Sequence, residues 1–369
     1  MNRLFRWDQM GLFLLALAAG ILPFAVPEVC AAALREGLTL CSGPLLLSLF
    51  PFLVVSRLLI QCPESDLLAL PFRLAAWCIG IRTPCAARVL CIGFLGGFAP
   101  AASAAAQAVR TGQLTAEEAD ALLPACICSG PSFVVLTVGQ SLLGSAELGV
   151  LLFASQITAN YLTAALLNRF AGARSVKPGS AAPASPAPPR LDEILADAAI
   201  TYCKLCGFIL FFRMLAAGAG ALLPAGVGTL CSILLEVCSG CDLASRTGRW
   251  GSLLCCAALS VQGLSVLLQV RTICPPEMTL RPLYRSRLLH LPLSLALFYL
   301  LLPGGEADVF STLPARVLLM RRVPPDCALL VFAVCCMAAC TLRSGIRQVE
   351  QKQMARNAGG CCINSKTLL

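Results

Sequence analysis

Gly93-Phe94-Leu95-Gly96-Gly97-Phe98-Ala99-Pro100 opens the stretch that decides the fold, which runs on to Gly144. It is apolar, yet it holds three glycines and closes on a proline. A polar turn from Arg110 to Asp120 follows, and the next apolar run is broken at Ser129-Gly130-Pro131-Ser132. In a helix interior glycine costs about 1 kcal/mol and proline about 3 kcal/mol, so two neighbouring segments built this way make poor anchors. Broken backbone at membrane depth is tolerated only where protein buries it or where it lines a cavity. The stretch reads as a binding site inside a membrane protein.

The rest of the composition agrees. The 369 residues are 58% hydrophobic and 13% charged, with a mean hydropathy of +0.81. Soluble domains carry about 25% charged residues, and this chain has too few to cover a soluble surface. Its apolar stretches, near the length a bilayer requires and bounded by Arg or Glu, read as transmembrane helices. The net charge of +9 sits mostly in short loops and the tail. It therefore reports orientation, not nucleic-acid binding. Most of the 22 cysteines lie in apolar segments, where they act as small hydrophobes. Cys126-Ile127-Cys128 and Cys361-Cys362 lack the second ligand pair of a zinc site, so no metal is expected.

Along the chain, residues 11–27 form a retained first helix, since Glu28 interrupts any cleavage region. Residues 38–56 make a second span, residues 57–73 lie in the interface, and 74–81 are too short to cross. The two broken segments come next, then an uninterrupted span over 147–168. Residues 171–190 are rich in Pro, Ala and Ser and hold Arg174, Lys177 and Arg190 with no acid. They read as an extended cytoplasmic linker. Further spans are expected near 214–235, 251–270, 286–303 and 327–342, and the tail is basic. The domains are therefore 1–170, a first repeat; 171–190, the linker; 191–342, a second repeat; and 343–369, a cytoplasmic tail.

The halves echo each other. The Gly93–Pro100 interruption corresponds to Leu234-Leu235-Glu236-Val237-Cys238-Ser239-Gly240-Cys241, and Ser129–Phe133 corresponds to Gln262-Gly263-Leu264-Ser265-Val266. Interrupted segments at matching places in two halves point to the site of a secondary transporter.

The order of these blocks, with Arg35-Glu36-Gly37-Leu38-Thr39-Leu40 and Leu49-Phe50-Pro51-Phe52-Leu53 ahead of them, resembles the sporulation integral membrane protein YlbJ family. That family carries gate, or nucleoside-recognition, domains. The resemblance implies an all-α polytopic membrane protein with two inverted repeats and re-entrant hairpins, distantly like concentrative nucleoside transporters. It also implies movement of dipicolinate across the outer forespore membrane during sporulation. The chain departs from the family pattern at Phe98-Ala99-Pro100, Cys128 and Val266, where relatives carry Tyr-Pro, Asn and His.

An aromatic dicarboxylate needs fixed positive potential and a flat apolar slot. Helix N-termini at a break supply the first through free N–H groups and about half a positive charge. The expected substrate-binding residues are Gly96, Gly97, Ser129, Gly130 and Ser132 in the first half, with Glu236, Ser239, Gln262, Gly263 and Ser265 in the second. Two roles are open to Glu236: binding a coupling proton or cation, or pairing with Lys204 or Arg213. Gln262 and Gln269 share a face only if the glycine break preserves the helix. Gln156 and Asn160 read as interhelical hydrogen bonders. Arg281, Arg285, Arg287 and His290 read as a juxtamembrane basic cluster, usually an orientation signal and sometimes a contact for anionic lipid. Thr115-Ala116-Glu117-Glu118 is a capping box that starts a short surface helix.

The sequence has no P-loop, no zincin motif and no nucleophile elbow. It is read as a cofactor-independent transporter and not an enzyme. Its partners are a small organic anion, membrane lipid, a coupling proton or cation and a second copy of the chain, with no nucleic acid. Two other readings stand beside it: transport of nucleosides or another small solute, and a non-transporting sporulation scaffold.

Overall fold

The computed structural model describes residues 2–170 and 191–302. The linker, the expected span at 327–342 and the basic tail lie outside the described residues. Within those limits every element is helical and no strand occurs. The helices are α1 (Asn2–Ala25), α2 (Pro27–Ser42), α3 (Pro44–Gln61), α4 (Leu70–Ile79), α5 (Pro84–Gly96), α6 (Phe98–Arg110) and α7 (Ala116–Cys126). A π-helical segment (Ser132–Leu142) precedes α8 (Ala146–Phe170). After the linker come α9 (Leu191–Leu222), α10 (Ala225–Leu235), α11 (Val237–Ser245), α12 (Gly251–Val261), α13 (Gly263–Ile273) and α14 (Arg281–Leu301).

Large apolar side chains face outward, among them Phe13, Phe24, Phe170, Leu288 and Leu300. Three helical stretches, 146–170, 191–222 and 248–273, are long and apolar enough to cross a membrane. The number rises to five if each of two sharply bent pairs, α1 with α2 and α4 with α5, counts as one span. Such lengths and outward apolar faces are those of a multi-pass membrane protein.

Two expected spans are corrected. The 38–56 span is cut at Gly43, where Pro44 has no N–H to continue the ladder and begins α3 instead. The 214–235 span does not exist as one helix. Its first part belongs to α9, which ends at Leu222, and Pro224 precedes α10. Charged residues in α9 hid its length from a hydropathy reading. In the fold two of them, Asp197 and Arg213, are paired with α3 and α2, which run back along it. Arg57 meets Asp197 at 2.6 Å, the Tyr202 hydroxyl donates to the Cys41 carbonyl, and Arg213 meets Glu36 at 2.7 Å.

Two tight reversals position the site. A Cβ added at Gly93 would lie 3.2 Å from the Ala101 Cβ, although eight residues of continuous helix would separate them by about 12 Å. So α5 and α6 double back at Gly97. Similarly, a Cβ at Gly240 would meet the Ile233 Cα at 2.8 Å, against roughly 10 Å along a helix, so α10 and α11 double back at Glu236. By contrast α12 and α13 run on as one apolar stretch with a notch at Gln262. In chain order, α5 and α6 double back ahead of the α7–π segment break, and α10 and α11 double back ahead of the α12–α13 notch.

The capping box at Thr115 forms: the Thr115 hydroxyl accepts from the Glu118 N–H at 3.1 Å and Glu118 accepts from the Thr115 N–H at 2.9 Å. The helix it starts is not a surface helix, because Glu118, Asp120, Leu122 and Leu123 are buried. Glu118 also accepts from the Thr83 hydroxyl at the start of α5, at 2.6 Å. Asp120 accepts from the Thr279 N–H and hydroxyl and the Leu280 N–H at 2.7 to 3.1 Å. That carboxylate pins the start of α14 to α7.

Candidate functional site

Four backbone breaks lie together at the heart of the fold. Gly97 has φ 80° and ψ −163°, a region essentially restricted to glycine. A Cβ there would lie 2.7 Å from the Gly130 nitrogen, so the tip of the first hairpin rests on the Ile127–Pro131 break. In the second half Glu236 is extended between α10 and α11, and Gln262 and Gly263 are both left-handed at φ 66° and 70°. A Cβ on Gly263 would lie 3.0 Å from the Leu235 carbonyl and 3.1 Å from the Glu236 nitrogen. Each hairpin tip therefore sits on the broken helix of its own half. The halves then meet, the Gln262 side-chain amide donating to the Ser129 hydroxyl at 3.4 Å.

The expected residues divide by what they do. Gly96, Gly97 and Gly130 make the close approach of the first pair, with Gly96 packed on Pro100 and Phe52, and Gly263 makes that of the second. Ser129, Gln262 and Ser265 are buried polar groups, and Ser132 opens the π segment half-buried. Gln269 donates to the Ser265 hydroxyl at 2.9 Å. It does not share a helical face with Gln262, because the left-handed pair at 262–263 ends the helix between them. The side-chain oxygens of Gln262 and Gln269 are buried with no partner.

Glu236 corrects an expectation. Its carboxylate accepts from the Cys238 and Ser239 N–H groups at 2.8 and 2.7 Å, so it caps α11 and pairs with neither Lys204 nor Arg213. Ser239 enters through its backbone. The α11 N-terminus is thereby filled by an acid of the chain itself. The N-termini of α6, the π segment and α13 carry no side-chain cap.

Arg287 and His290 are a second correction. They are not juxtamembrane, since α14 carries both into the interior, with Arg287 at 8% exposure and His290 at 0%. Arg281 and Arg285 stay exposed. The His290 ring pairs with the Gln156 carbonyl at 3.2 Å, and the Gln156 amide donates to the Ser260 hydroxyl at 3.0 Å and the Cys256 carbonyl at 3.2 Å. Gln156 is thus the interhelical bonder the sequence suggests. The depth of Arg287 has no local signal, because three basic residues precede His290 in a row that looks interfacial.

A polar cavity of about 140 Å³ opens beside these elements. Arg57, Ser103, Arg110, Asp197, Lys204 and Thr272 are among its lining residues. It collects the ends of α3, α6 and α13 and the first turns of α9, hence the face from which the linker departs. Three cations against one acid make it an anion-attracting vestibule. From Thr272 the buried Gln269 and Ser265 lead back along α13 to the break, a path of about 14 Å.

No protein-family model, curated protein or solved structure matches the chain.

Proposed function

We propose that this chain is a secondary transporter or gated pathway for a small organic anion, with dipicolinate the candidate that its resemblance implies. The observation that supports this reading best is the Ser129–Gln262 contact at 3.4 Å, where broken helices of both halves meet, each covered by its own hairpin tip. Directly opposed breaks supply unpaired backbone groups to a solute at bilayer depth. The first hairpin opens toward the linker face with Arg110, and the second follows Leu222 at the other end of the 32-residue α9. On this reading the two repeats are inverted, the hairpins are re-entrant, and alternating access rocks one pair against the other.

On this reading an anion enters through the vestibule near the start of α9, on the face that the positive-inside rule makes cytoplasmic. Transport of a neutral solute such as a nucleoside is the second reading. It draws on Glu236, whose carboxylate already fills one of the four helix N-termini.

Flux in reconstituted vesicles tests the proposal. Glu236→Gln and Gly130→Leu are expected to abolish dipicolinate flux while expression survives. If both retain full activity and only changes in the linker or tail do harm, the chain is a scaffold and not a transporter. In a sporulating host, the dipicolinate content of spores in a deletion strain complemented by each variant separates the same two outcomes.

A further inference from the structure

Arg287 is buried in the membrane-spanning interior, and no carboxylate neutralises it among the described residues. The buried acids are already committed: Glu118 to Thr83 and Thr115, Asp120 to Thr279 and Leu280, and Glu236 to Cys238 and Ser239. An uncompensated cation at this depth is disfavoured and marks function by default. Its surroundings say what would compensate it.

The guanidinium reaches the Ser260 carbonyl at 3.4 Å and the Asn160 side-chain oxygen at 3.5 Å, both long for such bonds. Its Nε has no partner, and neither does the Asn160 Nδ2. Ser260 lies two residues before the Gln262 break, and Asn160 lies midway along α8. One unneutralised charge and two unused N–H donors therefore sit together beside the Gln262 break. The Gln262 side-chain oxygen is a free acceptor at the break, but a second cation would be repelled by the guanidinium; a carboxylate meets what it needs, a fork of donors around one positive charge.

Resting on the transporter reading, we propose that Arg287 is the fixed counter-charge that receives a carboxylate of the transported solute, with Asn160 donating beside it. The helix N-termini then assist binding and do not carry it alone. The charge is held back from the vestibule, so an anion drawn in by Arg57, Arg110 and Lys204 passes along α13 to a site where water does not compete.

The test uses the full chain in nanodiscs, with binding read as a rise in thermal midpoint on titration with pyridine-2,6-dicarboxylate, benzoate or uridine. The wild type is expected to be stabilised by the two carboxylates. Arg287→Gln should weaken both by about tenfold or more, and Arg287→Lys should keep part of the affinity. Without ligand, Arg287→Gln should melt no lower than wild type, because it removes an uncompensated buried charge. A merely structural arginine predicts the reverse, a lower midpoint with affinity unchanged, and that result overturns the inference while leaving transport standing. If the wild type binds only uridine, the anion assignment fails. If it binds none of the three, the transporter reading fails with it. Should Arg287→Gln not fold, Asn160→Leu is read in its place: a several-fold loss of carboxylate affinity supports the inference and no loss overturns it.

Discussion

Replacing Gly97 by alanine tests the hairpin-on-break contact with the smallest possible perturbation. Two penalties apply. At φ 80° and ψ −163° an alanine occupies a region nearly closed to L-residues, at roughly 1–3 kcal/mol. The new methyl also lies 2.7 Å from the Gly130 nitrogen, 3.0 Å from its Cα and 3.3 Å from the Cys128 carbonyl. All three are backbone atoms of the facing break, so no side chain can swing aside, and overpacking of this kind adds about 1–3 kcal/mol. The expected total is about 2–6 kcal/mol, a large part of the roughly 5–15 kcal/mol that holds a typical fold. Gly80→Ala is the matched control, since Gly80 has φ 93° but nothing within 4 Å of its added Cβ. Only the left-handed backbone term of about 1 kcal/mol remains there. The assay is chemical unfolding of both variants in the same detergent, with flux measured alongside. If Gly97→Ala is no worse than Gly80→Ala, the first hairpin tip does not rest on the Gly130 break and the reasoning fails.

Other perturbations have outcomes as definite. Asp120→Ala strands three donors at the start of α14 and should cost on the order of 3 kcal/mol, with faster hydrogen exchange at residues 279–283. Arg57→Gln gives up the pair with a largely exposed Asp197, so unfolding should show a loss of only about 1 kcal/mol. The same variant should weaken anion uptake several-fold at low salt, with the difference shrinking as salt screens the vestibule. Gly139→Ala would drive a methyl into the Gly149 backbone and push the π segment off α8, a loss of about 1–3 kcal/mol by chemical unfolding.

The sequence made three of the four breaks readable because their causes are local. Proline at 131 has no N–H, and glycine at 97 and 263 permits a positive φ, so each interruption is written in adjacent residues. What joins the breaks is not local. Ser129 and Gln262 meet across 133 positions, and Arg213 finds Glu36 across 177. A hydropathy reading treats Arg213 as the edge of a span, whereas the partner on α2 lets α9 carry it inward. Arg287 failed for the same reason in reverse: its neighbours Arg281 and Arg285 are exposed, and only the packing of α14 against α7, α8 and α12 buries it. Glu236 was seen as functional from its setting in an apolar run. Its use as an N-cap depended on a reversal that the residues alone do not reveal. The π-helical winding of Ser132–Leu142 has no counterpart in any residue preference and accompanies the close approach of Gly139 to Gly149.

The central claim is that broken helices from the two halves meet at one point. It is tested most directly by placing cysteines at Ser129 and Gln262 in a chain otherwise stripped of cysteine, with a protease site in the 171–190 linker. Treatment with a short bis-maleimide in the membrane, followed by cleavage, is predicted to leave the two halves covalently joined on a denaturing gel. Halves that separate as freely as in the single-cysteine controls would contradict the account.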